Sequence, residues 1–194
     1  MMNFKSIRAA MLNQRAVNQA DLVLRNLKIR EGDVIADLGC GGGFFTFEFL
    51  KEVGESGKVF AVDVDGKMLQ YITQKAEQEG RTNLIPVLAE ASKLVLPEFD
   101  CDLFFLRNVF HHLPQPGEYI RQLKKSLKPE GRIAVIDYRN QKGCGLMQLF
   151  GHRLVSEEKI CNIMLGEGFK LGETFNILPE QSFNIFALDV KQPG

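Results

Sequence analysis

Short apolar runs alternate with amphipathic segments along most of this chain, and this alternation constrains the fold more than any other feature. The first two apolar runs are Val34–Leu38 and Lys58–Asp63, and a helical pattern over residues 44–53 separates them. Strands joined by crossover helices lie side by side in a parallel sheet. The sequence therefore predicts an α/β fold.

The remaining elements continue the alternation and end in a hairpin. Asp65 is placed to cap a helix that ends near Gly80, and Ser156, followed by two glutamates, is placed to begin the last helix. Residues 116–127 are a predicted helix and 128–131 a predicted turn. The later strands are predicted at 83–88, 102–106, 132–137, 168–177 and 182–190. The expected fold is one Rossmann-like, doubly wound, mostly parallel seven-stranded sheet with a C-terminal antiparallel hairpin.

The composition favours a small partner in a reducing compartment. Lys plus Arg equals Asp plus Glu at 24 each, so no basic field points to nucleic acid. None of the four cysteines stands at C-x-x-C spacing, which argues against a zinc site or a disulfide framework. No apolar run resembles a signal peptide or reaches the roughly 18 residues of a membrane span. We expect a cytoplasmic protein without a metal.

Four glycines fall in the predicted turn between the first strand and its helix, at Gly39, Gly41, Gly42 and Gly43. Glycine takes positive φ readily, so such a turn lets a ligand approach the backbone and leaves amides exposed. The dinucleotide pattern G-x-G-x-x-G, counted from the first glycine, needs a glycine where the chain has Phe44. Counted from the second glycine, its third glycine falls on Thr46. The turn is therefore a weak match to a dinucleotide site.

Two aspartates narrow the ligand further. Asp37 stands two residues before the first glycine, where a carboxylate repels a pyrophosphate but attracts an ammonium group. Asp63 ends the second strand, where a carboxylate can accept the hydroxyls of a ribose. Each aspartate also has an ordinary structural explanation as a strand-end residue that caps backbone amides. Together with the glycine turn, they favour a cationic ligand that carries an amino acid and a nucleoside.

These residues resemble the motifs of a known enzyme family. Residues 34–43 look like the first motif of class I S-adenosylmethionine-dependent methyltransferases, and residues 62–65 resemble their ribose motif. The resemblance continues through 89–91, 106–113 and 127–132, and it is greatest for the small group that includes the ubiquinone and menaquinone C-methyltransferases. It implies transfer of a methyl group from S-adenosyl-L-methionine to a small-molecule acceptor.

The resemblance also implies which residues hold the cofactor. Asp37 would partner its amino group, often through water, and Asp63 its ribose hydroxyls. Family members commonly read the adenine amino group with an aspartate, and Glu90 stands at that position. The family's proline-glycine-glycine turn carries Glu130 in place of one glycine. The full implied set is Asp37, Gly39, Cys40, Gly41, Asp63, Val64, Glu90, Ala91, Arg107 and Asn108, the last two lining the reactive end.

Acceptor-side candidates are polar residues at the carboxyl ends of strands four and five, where ligands of open α/β sheets bind. They are His111, His112, Asp137, Tyr138 and His152. A histidine can take up an acceptor's proton near neutral pH, and His111 is the candidate catalytic residue because it follows strand four most closely. The alternative is a helix-start histidine bonded to nearby backbone. Methyl transfer from a sulfonium does not always need a base, and the sequence does not name the acceptor.

The absence of linkers and repeats predicts a single domain over 1–194. Its parts are an N-terminal helical segment (1–30), a cofactor-binding core (31–137), a loop near the acceptor (138–153) and a C-terminal helix with hairpin (154–194). The N-terminal segment either packs on the sheet edge or covers the cofactor, and the loop either folds over the acceptor or is a solvated connector. Two other functions stay open: a regulatory module that binds S-adenosylmethionine without turnover, and a nicotinamide-dependent oxidoreductase.

Overall fold

The computed structural model describes residues 19–90, 100–139 and 155–189, together with Ala10, Asn13 and Val17. Its helices are α1 (Ala20–Leu27), α2 (Phe44–Glu52), α3 (Gly66–Gln78), α4 (Pro116–Lys124) and α5 (Glu157–Gly166). Its strands are β1 (Val34–Leu38), β2 (Lys58–Asp63), β3 (Leu84–Leu88), β4 (Cys101–Arg107), β5 (Leu127–Tyr138), β6 (Phe169–Phe175) and β7 (Gln181–Leu188). A 3₁₀ turn at Phe110–His112 follows β4.

The described chain divides into two compact units, of which the first contains α1 through β3. Its strands are parallel, with β2 between β1 and β3. Leu38 pairs with Val62 and Asp63 pairs with Leu88, so the carboxyl ends of the three strands meet at one edge. This register brings the glycine turn after β1 next to the end of β2.

The second unit contains β4 through β7. β4 and β5 are parallel, whereas β7 runs antiparallel between β5 and β6. Asp137 pairs with Ser182 and Tyr138 pairs with Gln181, so the start of β7 lies beside the end of β5. Across both units the seven strands give the mixed, mostly parallel sheet with a C-terminal antiparallel hairpin that the sequence predicts.

Phenylalanine side chains supply much of the core. Phe104 and Phe105 of β4 and Phe183 and Phe186 of β7 are buried, with at most 1% of their surface exposed. Because successive side chains of a strand point to opposite faces, the burial of adjacent Phe104 and Phe105 confirms that β4 is covered on both sides. Burial of each ring stabilises the fold by roughly 1.5–3 kcal/mol. These rings therefore anchor β4 and β7 in the core.

Both predicted helix caps are present. An Asp65 carboxylate oxygen accepts a hydrogen bond from the Lys67 amide at 2.9 Å, at the start of α3. The Ser156 hydroxyl accepts one from the Lys159 amide at 3.2 Å, at the start of α5. Each bond satisfies an amide that has no partner within its own helix.

The prediction of a separate turn at residues 128–131 is wrong. β5 begins at Leu127, which pairs with Cys101, and pairing resumes where Arg132 meets Leu103. The intervening residues form a bulge within the strand, and Lys128 donates to both carboxylate oxygens of Asp102, at 2.7 and 2.9 Å. The preceding helix consequently ends at Lys124, earlier than predicted.

Two other predictions fall only partly on the described residues. Of the N-terminal helical segment, the structure describes α1 and three helical positions, and of the loop at 138–153 it describes Tyr138 and Arg139. His152 and Ala91 lie outside the described ranges. No helix within those ranges is long and apolar enough to cross a bilayer.

Candidate functional site

The glycine turn directs most of its amides into the protein. The amides of Gly39 and Cys40 both donate to the carbonyl of Val62, at 2.8 and 3.1 Å. The Gly41 amide donates to the Asp63 carboxylate at 2.8 Å, and the Gly43 amide donates to the carbonyl of Cys40 at 2.9 Å. Four of the five amides in the turn therefore have protein partners, and the expectation that the turn leaves them exposed is wrong for these four.

Positive φ angles make this arrangement possible. Gly41 has φ +52° and Gly43 has φ +81°, a region that other residues enter at a cost of roughly 1–2 kcal/mol. At Gly43 an added Cβ would also lie 2.5 Å from Cγ2 of Ile72 in α3. The glycines thus let the turn fold back on β2 and pack closely against α3.

Asp63 joins the glycine turn to the end of β2. One carboxylate oxygen accepts from the Gly41 amide, and the other accepts from the Asp65 amide at 2.9 Å. The Cys40 thiol lies 4.0 Å from the same carboxylate, and burial raises the pKa of that thiol well above its usual value. A carboxylate oxygen has two lone pairs. The oxygen bonded to the Asp65 amide therefore retains one for a hydroxyl, and the other oxygen can take a hydroxyl by displacing the long contact from the Cys40 thiol.

Asp37 is a buried acid at the end of β1. Only 4% of its surface is exposed, and its carboxylate accepts a 2.6 Å hydrogen bond from the Thr46 hydroxyl of α2. The pKa of Asp37 is raised to about 7, chiefly because burial disfavours the charged form; the hydrogen bond from Thr46 opposes this rise, and the nearby charge of Asp63 adds to it. A neighbouring cation would restore the ionised form, so Asp37 suits a ligand with an ammonium group.

Asn13 also contacts the turn, and the sequence analysis missed it. Its side-chain amide donates to the carbonyl of Gly42 at 3.0 Å and accepts from the Phe44 amide at 3.2 Å. The Phe44 amide opens α2 and has no partner within that helix. The contact places the Asn13 side chain beside the glycine turn. Nothing in the sequence distinguishes Asn13 from the other polar residues of this segment.

The remaining predicted cofactor contacts in this unit lie at its exposed edge. Val64 follows β2 with 61% of its surface exposed, and Leu88 at the end of β3 is 65% exposed. Glu90 is exposed after β3. Exposed apolar side chains beside a carboxylate-rich turn can cover the face of an aromatic base.

In the second unit, Arg107 and Asn108 lie at the end of β4. The Arg107 guanidinium donates to the side-chain carbonyl of Gln181 at 3.3 Å, and the Gln181 amide donates to the Asn108 side chain. Burial lowers the pKa of Arg107. Asn108 adopts φ +59°, and its backbone amide donates to the carbonyl of Ile136 at 2.8 Å. Arg107, Asn108 and Gln181 thus form one hydrogen-bonded polar group. The sequence did not identify Gln181 as part of it.

His111, in the 3₁₀ turn after β4, pairs with Asp137 near the end of β5. Nδ1 of His111 lies 2.7 Å from an Asp137 carboxylate oxygen, and their side chains are 3% and 0% exposed. Asp137 also accepts from the backbone amides of His111 at 3.1 Å and Tyr138 at 2.8 Å. The neighbouring His112 is exposed, with its ring 4.0 Å from that of His111. Nδ1 of His111 thus has a carboxylate side chain as a partner.

This pairing fixes the orientation of the imidazole. When Nδ1 donates to the carboxylate, Nε2 carries the lone pair and can accept a proton. Within the described ranges, no group of three or more His, Cys, Asp or Glu side chains is arranged to hold a metal ion.

Comparison with known proteins agrees with the fold. The sheet and the carboxylate-lined glycine turn define the class of S-adenosylmethionine-dependent methyltransferases, whose cofactor is S-adenosyl-L-methionine. The family profile described as "Methyltransferase domain" matches residues 29–184, and this chain belongs to that family. A crystallised SAM-dependent methyltransferase from Aquifex aeolicus is 27% identical, with a TM-score of 0.80 over 97% of this chain and 100% of that one.

Two curated relatives match more closely over a shorter stretch. A ubiquinone/menaquinone biosynthesis C-methyltransferase of Pseudomonas paraeruginosa is 36% identical over 115 residues, covering 57% of this chain and 43% of the relative. A demethylmenaquinone methyltransferase of Lactobacillus johnsonii is 30% identical over 119 residues, covering 58% of this chain and 47% of the relative. The matched parts therefore span less than half the length of these relatives.

Proposed function

We propose that this chain moves the methyl group of S-adenosyl-L-methionine to a small-molecule acceptor that loses a proton during transfer. The observation that carries the proposal is the buried His111–Asp137 pair at the ends of β4 and β5. S-adenosyl-L-methionine, when bound, supplies a methyl group already activated by a sulfonium. The protein's contribution is to position the reactants and remove the acceptor's proton.

The cofactor is held by hydrogen-bond acceptors. The Asp37 carboxylate would accept from the amino group, and the two oxygens of Asp63 would accept from the ribose hydroxyls. Gly39, Cys40 and Gly41 would line the methionine portion. This assignment is supported by the amides of the turn, most of which are bonded within the protein. The groups left to contact a ligand are mainly carboxylates, which accept hydrogen bonds and therefore suit a ligand that donates them.

Further contacts would enclose the other parts of the cofactor. Val64 would cover the adenine, with Glu90 and Ala91 beside its amino group. Arg107 and Asn108 would line the reactive end.

His111 would act as the general base. Asp137 holds Nδ1 in its protonated form and stabilises the imidazolium that arises when Nε2 takes up a proton, as in other Asp–His pairs. During transfer, one proton passes from the acceptor to Nε2, and the acceptor's freed electron pair forms the new bond to the methyl carbon. The bond between that carbon and sulfur breaks with its electrons on sulfur, so charge is balanced.

The names of the curated relatives indicate which acceptors to try first. They act in ubiquinone and menaquinone biosynthesis as C-methyltransferases or on demethylmenaquinone. A reduced quinone ring carries acidic hydroxyls, which matches an acceptor that loses a proton to a histidine. We therefore propose a phenolic or hydroquinone acceptor, with 1,4-naphthalenediol as the soluble probe.

The experiment compares the two neighbouring histidines. Single-turnover transfer of tritiated methyl to 1,4-naphthalenediol and a panel of phenols is measured for wild type, His111→Ala and His112→Ala. Loss of a general base lowers the rate about 10²–10⁴-fold, so His111→Ala should show that loss and His112→Ala should stay within about threefold. Affinity for S-adenosylhomocysteine, measured by calorimetry, should be equal in all three. Equal rates for the two variants would show that His111 is not the general base.

A regulatory module that binds the cofactor without turnover is the second candidate. The same panel separates it from the enzyme. Tight binding of S-adenosylhomocysteine with no methyl transfer to any probe, and none to small molecules extracted from cells, would favour the module.

A further inference from the structure

Gln181 begins β7 and bonds to two residues at the end of β4. The residue is 7% exposed, and it accepts from the Arg107 guanidinium at 3.3 Å through its carbonyl oxygen. Through its nitrogen it donates to the side-chain oxygen of Asn108. One buried amide therefore links two residues that are 73 and 74 positions away in the chain.

Asn108 is held from outside its own segment. Its φ of +59° lies in the left-handed region, which asparagine enters more readily than most residues other than glycine. Its backbone amide is fixed by the carbonyl of Ile136, but its side chain can still rotate. The hydrogen bond from Gln181 restricts that rotation and sets which atom of the Asn108 amide faces away from β7.

The same strand start also supports the His111–Asp137 pair. Ser182 pairs with Asp137 in the sheet, and its hydroxyl donates to the Asp137 carbonyl at 3.3 Å. Gln181 pairs with Tyr138, whose amide donates to the Asp137 carboxylate. The first two residues of β7 thus contact both the polar group at the end of β4 and the His111–Asp137 pair.

We infer that Gln181 is a positioning residue for methyl transfer, fixing the side chains of Arg107 and Asn108 through its two hydrogen bonds. The inference rests on the proposed function, in which those two residues line the reactive end of the cofactor. Small displacements at a reacting centre reduce rates strongly: about 1 Å can cost 10²-fold. Gln181 touches neither reactant in this view, so its loss should affect the rate of transfer and not cofactor affinity.

The test replaces Gln181 by residues that keep its volume. Gln181→Met removes both hydrogen bonds, and Gln181→Glu keeps an acceptor for Arg107 while removing the donor to Asn108. We expect single-turnover transfer to 1,4-naphthalenediol to fall about 30- to 100-fold in Gln181→Met and less in Gln181→Glu. Calorimetric affinity for S-adenosylhomocysteine should change less than threefold in both.

A second buried amide on the same strand provides the matched control. Asn184 is 1% exposed and bonds to Thr174 at 2.7 Å and to Glu157 at 2.9 Å, on elements other than β4. Asn184→Leu should lower the unfolding temperature about as much as Gln181→Met but leave the transfer rate unchanged. A rate loss in Asn184→Leu equal to that in Gln181→Met would overturn the inference.

A spectroscopic measurement keeps the inference testable without turnover. The ¹⁵N–¹H signals of the Arg107 guanidinium and the Asn108 side-chain amide should shift in Gln181→Met and stay in place in Asn184→Leu. Unchanged signals in Gln181→Met would overturn the positioning role. If wild type transfers methyl to no probe, the proposed function fails, and the same spectra still decide whether Gln181 holds these side chains.

Discussion

The affinity of this protein for its cofactor should depend on pH through Asp37. Burial raises the pKa of this carboxyl to about 7, so it is about half neutral at pH 7 and about 99% neutral at pH 5. An α-amino group stays protonated throughout this range. If the amino group binds only the ionised carboxyl, the dissociation constant rises about tenfold for each pH unit below 7. S-adenosylhomocysteine should therefore bind about 50-fold more weakly at pH 5 than at pH 7.

Two controls isolate the Asp37 carboxyl. 5′-Methylthioadenosine carries the nucleoside and a thioether but no amino acid, so its affinity should not follow this pH dependence. Thr46→Val removes the 2.6 Å hydrogen bond that lowers the pKa of Asp37, so the midpoint should move to higher pH. Asp37→Asn should bind weakly at every pH.

Isothermal titration calorimetry in two buffers of different ionisation enthalpy measures both affinity and protons. At pH 6, where the carboxyl is about 90% neutral, binding of S-adenosylhomocysteine should release close to one proton. At pH 9 this carboxyl should contribute almost none. The reasoning would be refuted by equal pH dependence for S-adenosylhomocysteine and 5′-methylthioadenosine, since the titrating group would then not face the amino acid.

Three further outcomes follow from the same contacts. The raised pKa of Asp37 means that folding favours its protonated form. The stabilising contribution of this carboxyl is therefore full below about pH 4 and is lost as pH rises through 7. Asp37→Asn should consequently stabilise the cofactor-free protein at pH 8, by at most about 4 kcal/mol in urea unfolding. Asn13→Ala should weaken S-adenosylhomocysteine binding about 5- to 30-fold in calorimetry, roughly 1–2 kcal/mol for two lost hydrogen bonds, while Asn26→Ala, which loses an exposed bond to Leu22, should not. Gly80→Ala, with φ +67° and open space around its Cβ, should cost about 1 kcal/mol in urea unfolding, and Gly43→Ala should cost clearly more because of Ile72; equal costs would contradict the close packing of the turn on α3.

Local sequence patterns were enough to predict most of the fold. β1 and β2 have the predicted bounds because their apolar runs end at a glycine turn and at Asp63, where the buried pattern stops. The caps at Asp65 and Ser156 depend only on residues within one helical turn. The bulge at 128–131 was not predictable in this way, because its Lys-Pro-Glu-Gly composition is typical of a turn, and the ion pair with Asp102 forms only after β4 and β5 are aligned.

The site was predictable in its residue types but not in its contacts. Asp37 and Asp63 were selected by position, yet their bonds to Thr46 and Gly41 depend on the register of β1 and β2 and on side-chain rotamers. Asn13 reaches the turn from 29 and 31 residues away. No periodicity or spacing in a single sequence encodes a contact of that kind, because it arises from how separate elements pack.

The amides of the glycine turn that are bonded within the protein give a further reason why the turn does not suit a dinucleotide. From sequence, the objections were Phe44 in place of a third glycine and the carboxylate of Asp37 before the turn. In the structure, the Gly41 amide is taken by the Asp63 carboxylate and the Phe44 amide by Asn13, so neither is available to a phosphate. A glycine at position 44 would complete the pattern and still leave Asp37 two residues before the first glycine, where its carboxylate repels a pyrophosphate. The choice of cofactor therefore rests on Asp37 and on the occupied amides more than on the number of glycines.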